Sequence, residues 1–248
     1  MKGDAPAPLV RLAAVVDLIP GLGPRGPWVD MGAGTARYSE ALAAWWGRDV
    51  IAVDRVFPSR SKVEIGASRV RWVRGDALAP PIGPGKACGV FAHSVLHLIS
   101  DWSLALRCLG ALVGPGGLVA IRTPDPERIA AGAVAAAFPR LIAGELAGMP
   151  PPQQIERGLQ KMGFRVATRR FEDRSVSPRS SFLASVERMF RERESDFVGE
   201  LGEVAFQGLL SRGMERLAHE GPGTEAGVGL MDFSAWVVGR RCGEGEIS

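Results

Sequence analysis

The stretch WVDMGAGTARYS, from Trp28 to Ser39, decides the fold of this chain. A short apolar run ends at Asp30, and Gly32 and Gly34 follow two residues apart. Because glycine is entropically costly, such a pair indicates a tight turn or a close backbone approach to a bound group. A helical pattern begins at Arg37, so the turn opens a helix whose free backbone N–H groups favour a negatively charged or polar ligand group.

Strand-like and helix-like segments alternate on both sides of this turn. The predicted helices include 9–19, 37–46 and 102–112. The predicted strands are 27–31, 49–54, 69–76, 87–94 and 117–123. Such alternation predicts an α/β sheet with right-handed parallel crossovers.

The pattern loosens after Thr123. One or two helices are predicted before the prolines at 150–152, then an amphipathic helix ending at Gly163, a strand over 164–172, helices within 178–219 and a last strand over 227–241. We therefore predict one domain. Its core comprises about 9–123, 151–174 and 227–241, and its lid segments comprise about 124–150 and 175–226.

Composition narrows the class of protein. The 248 residues contain no apolar run long enough to span a membrane, and the start, MKGDAPAPLVRL, lacks the apolar core of a signal peptide. Cys88, Cys108 and Cys242 are odd in number and far apart, which is typical of reduced thiols and predicts a cytoplasmic protein. The net charge of +3 permits an anionic partner without requiring one.

Two acidic strand ends specify the bound group further. Asp54 lies 20 residues after Gly34 (54 − 34), a spacing that suits a carboxylate bound to ribose hydroxyls. Arg37 stands where a dinucleotide fingerprint needs Gly or Ala, which argues against NAD and FAD. Asp76 ends the third strand, where an adenine amino group would use an acid. The sequence therefore predicts a nucleoside-containing cofactor.

With these motifs in order, residues 25–125 resemble the class I S-adenosylmethionine-dependent methyltransferases. VDMGAGTARYS is similar to their first motif, VIAVD to the second and VRGDAL to the third, and FAHSVLHLISDW followed by ALVGPGGLVAIRTP resembles the fourth strand, a helix and the fifth strand. The resemblance implies a Rossmann-like, doubly wound, seven-stranded and mostly parallel sheet with helical lid insertions. Its cofactor would be S-adenosyl-L-methionine.

The resemblance also implies a set of cofactor-binding residues. They are Asp30, Gly32, Ala33 and Gly34 for the methionine part, Asp54 for the ribose, Asp76 and Ala77 for the adenine edge, His93 near the sulfonium, and Arg55. Two positions depart from the family pattern: Ala36 replaces its third glycine, and KAC (86–88) lacks the acid that usually begins the fourth strand.

His93 and His97 are the candidate catalytic residues. HSVLH resembles the zinc pattern HExxH, but Ser94 replaces the essential Glu and the remaining histidine, His219, is remote, so no metal site is predicted. His97 falls where many small-molecule methyltransferases carry a histidine, and it could deprotonate a substrate hydroxyl. The alternative is a histidine that only packs beside the cofactor.

The predicted function is methyl transfer to a small molecule. No [DN]PP[YF] follows the fourth strand, which favours an oxygen, carbon or small-amine acceptor. Phe182, Phe190, Phe197 and Phe206 are either core residues or part of a lid suited to an apolar or aromatic acceptor. Alternating charges over 165–196 favour a solvated helix over a nucleic-acid stripe. The alternatives are an RNA methyltransferase, a cofactor-binding protein without methyl transfer and a structural subunit.

Overall fold

The structure is a computed structural model that describes residues 11–14, 26–56, 69–172, 179–220 and 233–243. Its strands are β1 Trp28–Met31, β2 Val50–Asp54, β3 Val70–Arg74, β4 Ala87–His93, β5 Val113–Pro124, β6 Phe164–Glu172 and β7 Phe233–Arg241. Its helices are α1 Arg37–Trp46, α2 Trp102–Leu112, α3 Pro126–Ala130, α4 Ala133–Ala137, α5 Pro139–Ala147, α6 Pro152–Lys161, α7 Arg179–Glu192, α8 Glu194–Leu201 and α9 Glu203–Glu220. A short 3-10 helix spans Leu96–Leu98.

The seven strands form one sheet in the order β3-β2-β1-β4-β5-β7-β6. The pairs β1–β2, β1–β4, β2–β3 and β4–β5 are parallel. Strand order reverses at β1, so the loops after β1 and β4 diverge there and leave a crevice, which is where open α/β sheets bind ligands. The predicted seven-stranded, mostly parallel fold is confirmed.

Most predicted element bounds agree with the structure within a few residues, but β5 begins four residues earlier than predicted. Ala87 pairs with Val113 while Gly89 pairs with Leu118, so the register shifts between these pairs. The turn-forming residues 114–117 bulge out of the strand instead of preceding it. Residues 227–232 of the predicted last strand and most of the predicted helix near residue 9 lie outside the described residues.

The chain divides into two compact units. The first unit comprises Met1–Thr123, Pro152–Arg169 and Ala235–Ser248, and the second comprises Pro124–Pro151 and Arg170–Ser234. Each unit has its own hydrophobic core. The division follows the core and lid segments of the sequence prediction closely, but the lid role of the second unit stays a prediction.

Phenylalanine rings build the core of the second unit. Phe182, Phe190, Phe197 and Phe206 are all buried. The Phe197 and Phe206 rings stack with centroids 5.7 Å apart, and the Phe190 ring lies 4.5 Å from that of Phe138. The sequence left two interpretations open, core residues or part of a lid, and in the structure these four side chains are core residues. None of the helices among the described residues is long and apolar enough to cross a membrane.

Replacing Phe206 by alanine should destabilise the second unit by about 3–5 kcal/mol, since a fully buried aromatic ring is lost and a cavity remains. Thermal unfolding followed by near-ultraviolet circular dichroism would measure the change. Val204 lies on the same helix with 88% of its surface exposed, so Val204→Ala is the matched control and should be nearly neutral. Equal stability of the two variants would contradict a packed phenylalanine core.

Candidate functional site

The glycine turn after β1 depends on Gly32 for a close approach. Its φ is +74°, and a Cβ built there would lie 2.4 Å from Cγ2 of Val95. Its N–H donates to the carbonyl of Val53 at 2.8 Å, which ties the turn to β2. Gly34 has φ +54° and open space around the position of a Cβ. A side chain at Gly32 would collide with the protein, whereas one at Gly34 would enter free space.

Ala36, which replaces the third glycine of the family pattern, also adopts a left-handed conformation. Its φ is +58° and its side chain is buried. A left-handed alanine costs about 1–2 kcal/mol. The substitution therefore preserves the backbone path of the family turn at a cost in conformational energy.

Asp54 joins the end of β2 to the glycine turn. Its Oδ2 accepts the N–H of Gly34 at 2.9 Å, and its Oδ1 accepts the N–H of Val56 at 3.0 Å. The 20-residue spacing that the sequence analysis used thus corresponds to a direct contact. Both carboxylate oxygens are held in place, and their remaining lone pairs are available to a ligand.

Asp76 lies two residues past the end of β3, in the loop that follows the strand. Its Oδ1 accepts the N–H of Leu78 at 2.9 Å. Gly75 precedes it, and a Cβ at Gly75 would lie 2.5 Å from Cδ of Pro81 and 2.9 Å from Cγ1 of Val53. The tight packing at Gly75 fixes the acid and Ala77 next to the end of β2.

A cavity of about 400 Å³ opens among these strand ends, all within the first unit. Its walls are Met31, Gly32, Gly34, Val53, Asp54, Arg55, Gly75, Asp76, Ala77, Leu78, Ser94, Val95, Leu98, Ile99 and Ser100. Pockets of this volume accommodate small-molecule cofactors. Two carboxylates, a bare glycine turn and an apolar wall fit a ribose with an attached base, so the residues present suit S-adenosylmethionine.

Six of the predicted cofactor residues line this cavity, and four predicted site residues do not. The lining residues are Gly32, Gly34, Asp54, Arg55, Asp76 and Ala77. Asp30, Ala33, His93 and His97 are absent from the walls. The sequence analysis did not predict the apolar wall, which is formed by Leu78, Val95, Leu98 and Ile99. The reason is that an apolar run such as VLHLI (95–99) does not show which of its side chains face a ligand.

Asp30 is buried beneath the turn. The Ser39 hydroxyl donates to its Oδ2 at 2.6 Å, which ties β1 to α1. Burial raises the pKa of Asp30 to about 7; the hydrogen bond from Ser39 opposes the shift, and the charge of Asp54 adds to it. A direct contact between Asp30 and the cofactor therefore stays a prediction, and the hydrogen bond from Ser39 holds this carboxyl between β1 and α1.

The end of β4 brings His93, Ser94 and Arg122 together. Ser94 has φ +54°; its N–H donates to the carbonyl of Arg122 at 2.9 Å, and Nη1 of Arg122 donates to its hydroxyl at 2.8 Å. The His93 ring stacks on Tyr38 with centroids 4.3 Å apart. Burial and the nearby Arg122 charge lower the pKa of His93 to about 4, so this imidazole is neutral at pH 7. His97 lies half-buried on the 3-10 helix.

Comparisons with known proteins agree with this geometry. A methyltransferase domain family matches residues 7–169, which is more than half of the chain. A search of curated proteins found no match. Among solved structures, a putative methyltransferase from an antibiotic biosynthesis pathway of Anabaena variabilis is 21% identical, with a TM-score of 0.59 over 92% of this chain and 96% of that one.

Two further structures share the fold at lower identity. Phosphoethanolamine N-methyltransferase 2 of Haemonchus contortus, in complex with S-adenosyl-L-methionine, is 16% identical with a TM-score of 0.54; 94% of this chain is covered, but the chain spans only 53% of that protein. The [4+2]-cyclase SpnF is 16% identical with a TM-score of 0.53 over 97% of this chain and 85% of that one.

These likenesses show the fold, and the family match covers the glycine turn, both acidic strand ends and the end of β4. The resemblance predicted from the sequence is confirmed: the chain belongs to the methyltransferase domain family and has the fold of the class I S-adenosylmethionine-dependent methyltransferases.

Proposed function

We propose that this methyltransferase binds S-adenosylmethionine in the cavity after β1, β2 and β3 and methylates a small molecule. The contact between the Asp54 carboxylate and the Gly34 N–H carries the proposal, because a carboxylate held at the end of β2 beside the glycine turn is the arrangement that a bound ribose would need. Bound there, S-adenosylmethionine supplies an electrophilic methyl group and its own leaving group. The protein's contribution is to bind, orient and deprotonate the acceptor.

The cofactor-binding residues of the proposal are those that line the cavity. Asp54 would accept hydrogen bonds from the ribose hydroxyls, with Arg55 beside it, and Asp76 and Ala77 would meet the adenine edge. The walls formed by Leu78, Leu98 and Ile99 would exclude water from the base. Asp30 and Ala33 would act on the methionine part through the backbone of the turn.

A histidine at the end of β4 or just after it would take the acceptor proton, and His93 and His97 are the two candidates. Proton transfer by a positioned side chain typically contributes about 10²–10⁴-fold to the rate. His93 ends β4 immediately before Ser94 and Val95, which line the cavity. This adjacency favours His93, while His97 remains the candidate that the family resemblance indicates.

The test is a pair of measurements on the purified protein. Calorimetry should show binding of S-adenosylmethionine and S-adenosylhomocysteine and none of NAD. Methyl-labelled cofactor incubated with a small-molecule extract and, separately, with total RNA should label the small molecules. Label in RNA, with binding that weakens steeply as salt rises, would favour the RNA methyltransferase instead. Cofactor binding without any transfer would identify a protein that uses this fold for a reaction other than methyl transfer; the [4+2]-cyclase SpnF has the same fold.

The two glycines of the turn should respond differently to alanine. Gly32→Ala places a Cβ 2.4 Å from Val95 and should destabilise the protein by about 1–3 kcal/mol, because the packing around the turn must shift. The Cβ of Gly34→Ala meets no protein atom within 4 Å, so this variant should unfold at a higher temperature than Gly32→Ala. It should still weaken S-adenosylhomocysteine binding, because the added methyl group enters the space beside the turn. Thermal unfolding and calorimetry on both variants would measure these effects. Undiminished binding by Gly34→Ala would contradict a cofactor seated on the turn.

A further inference from the structure

Two buried ring nitrogens of the described residues, one at the end of β4 and one on β7, lack a hydrogen-bond partner. They are Nε2 of His93 and Nε1 of Trp236, and neither has a partner among the residues that the structure describes. The rings lie edge to face with centroids 6.1 Å apart. Buried polar atoms in folded proteins are nearly always paired, so each of these needs an explanation. A single hydrogen-bonding group of a bound ligand would partner both.

The two nitrogens have complementary chemistry. The indole N–H of Trp236 can only donate, whereas a neutral imidazole keeps one nitrogen free to accept. His93 is neutral at pH 7 because burial and the Arg122 charge lower its pKa to about 4. A ligand group that partners both nitrogens must therefore accept from Trp236 and donate to His93.

The surroundings of this pair are aromatic and belong entirely to the first unit. Tyr38 stacks on His93, and the Phe91 ring lies 5.6 Å from that of Trp236. Trp236 is fully buried. Because Ser94 and Val95 follow His93 directly and line the cavity, His93 lies next to the cavity wall along the chain.

The local charge disfavours a cationic ligand. Arg122 is opposite His93 in the register of β4 and β5, and it is almost completely buried. A protonated amine placed at His93 would be repelled by this guanidinium and would have no lone pair for the methyl group or for the Trp236 N–H. A hydroxyl is uncharged, donates one hydrogen bond and accepts others.

We propose, resting on the proposed function, that His93 and Trp236 form the subsite that holds the hydroxyl group of the methyl acceptor, which makes the protein an O-methyltransferase. Trp236 orients the oxygen by donating to one lone pair, and His93 accepts the hydroxyl proton. A second lone pair stays free to attack.

The transfer balances with these groups alone. The acceptor oxygen forms a bond to the methyl carbon as the carbon–sulfur bond breaks, and sulfur keeps the electron pair of that bond and becomes an uncharged thioether. The methylated oxygen is then strongly acidic, so even a weakly basic imidazole takes its proton. Next to Arg122, the imidazolium readily gives this proton to water, which restores the neutral ring.

The first test identifies the atom that is methylated. The protein is incubated with methyl-labelled S-adenosylmethionine and a small-molecule extract, and the labelled products are treated with mild alkali and then with hot hydroiodic acid. Alkali releases methyl groups from carboxylate esters, and the acid releases those of ethers as methyl iodide. We expect release by acid. Label that survives both treatments sits on nitrogen or carbon and would overturn the inference while leaving the proposed function intact.

The second test needs no turnover and uses phenol as the probe, with toluene as the probe that lacks a hydroxyl. In protein labelled with ¹⁵N at the tryptophan indoles and saturated with S-adenosylhomocysteine, phenol should shift the Trp236 N–H resonance and toluene should not. Equal responses to both probes would overturn the subsite even if no methyl transfer is detected. Assignment comes from the Trp236→Phe variant, which lacks that resonance.

The third test separates binding of the hydroxyl from structural damage. Trp236→Phe keeps an aromatic ring but loses the donor, so KM for the hydroxyl acceptor should rise about tenfold, in keeping with one lost hydrogen bond to a buried group. Affinity for S-adenosylhomocysteine should not change. Trp28→Phe is the matched control, since Trp28 is also buried but stacks on Trp46. Equal KM changes in both variants would assign the effect to packing and overturn the role of Trp236.

Discussion

Replacing Asp54 by alanine should weaken S-adenosylhomocysteine binding by about 10²–10⁴-fold. Each hydrogen bond from a ribose hydroxyl to a carboxylate contributes about 1.5–3 kcal/mol, and every 1.4 kcal/mol corresponds to about tenfold in affinity. Both oxygens of Asp54 are already positioned by the N–H groups of Gly34 and Val56, so little ordering cost opposes these bonds. Titration calorimetry would measure the loss.

The fold should survive this replacement, because the N–H groups that lose Asp54 are accessible to water. Asp49→Ala is the matched control: Asp49 is an exposed acid at the opposite end of the same strand segment, and its removal should leave the affinity unchanged. Normal cofactor binding by the Asp54→Ala protein would mean that Asp54 does not bind the ribose. Parallel losses in both variants would indicate a general charge effect.

Replacing His93 by phenylalanine should lower kcat by about 10²-fold or more, because the side chain that takes the acceptor proton is lost. Phenylalanine keeps a ring that can stack on Tyr38, so the packing at the end of β4 changes little. Affinity for S-adenosylhomocysteine should remain within a few-fold of the original value. Steady-state kinetics with the identified acceptor, together with calorimetry, would measure both quantities.

Two other histidine variants make this prediction specific. His219 is exposed on α9 in the second unit, so His219→Phe should leave kcat unchanged. His97→Phe tests the assignment that the family resemblance indicates. A large loss of kcat in His97→Phe with near-normal turnover in His93→Phe would transfer the proton-acceptor role to His97. Near-normal turnover in both would mean that the methyl acceptor is held in place but not deprotonated by a histidine.

Local patterns in the sequence predicted the parts of the site that depend on neighbours along the chain. The Gly32–Gly34 turn, the acid that ends β2 and the acid just after β3 follow directly from strand ends and spacing. The contact between Asp54 and Gly34 follows too, because parallel strand ends meet at one edge of a sheet. These features required only local periodicity and the topology of parallel crossovers.

Other parts of the site depend on side-chain direction and on contacts between distant residues, which cannot be derived from the pattern of a single sequence. Asp30 belongs to the same motif as the glycines, yet its carboxyl is buried under the turn against Ser39. The Trp236 and His93 rings lie close together only because β7 enters the sheet beside β5. Along the chain, the two residues are 143 positions apart (236 − 93). The bulge in β5 likewise required the register of β4.

The order of the strands has a consequence for how copies of the protein behave at high concentration. β3 and β6 are the end strands of the sheet, and exposed arginines occur on both: Arg71 and Arg74 on β3, and Arg165 and Arg169 on β6. Unpaired strand edges are templates for aggregation, and charged side chains along them discourage it. Any edge-to-edge approach of two copies brings guanidinium groups together, so their mutual repulsion protects the sheet from extending into a multi-chain assembly.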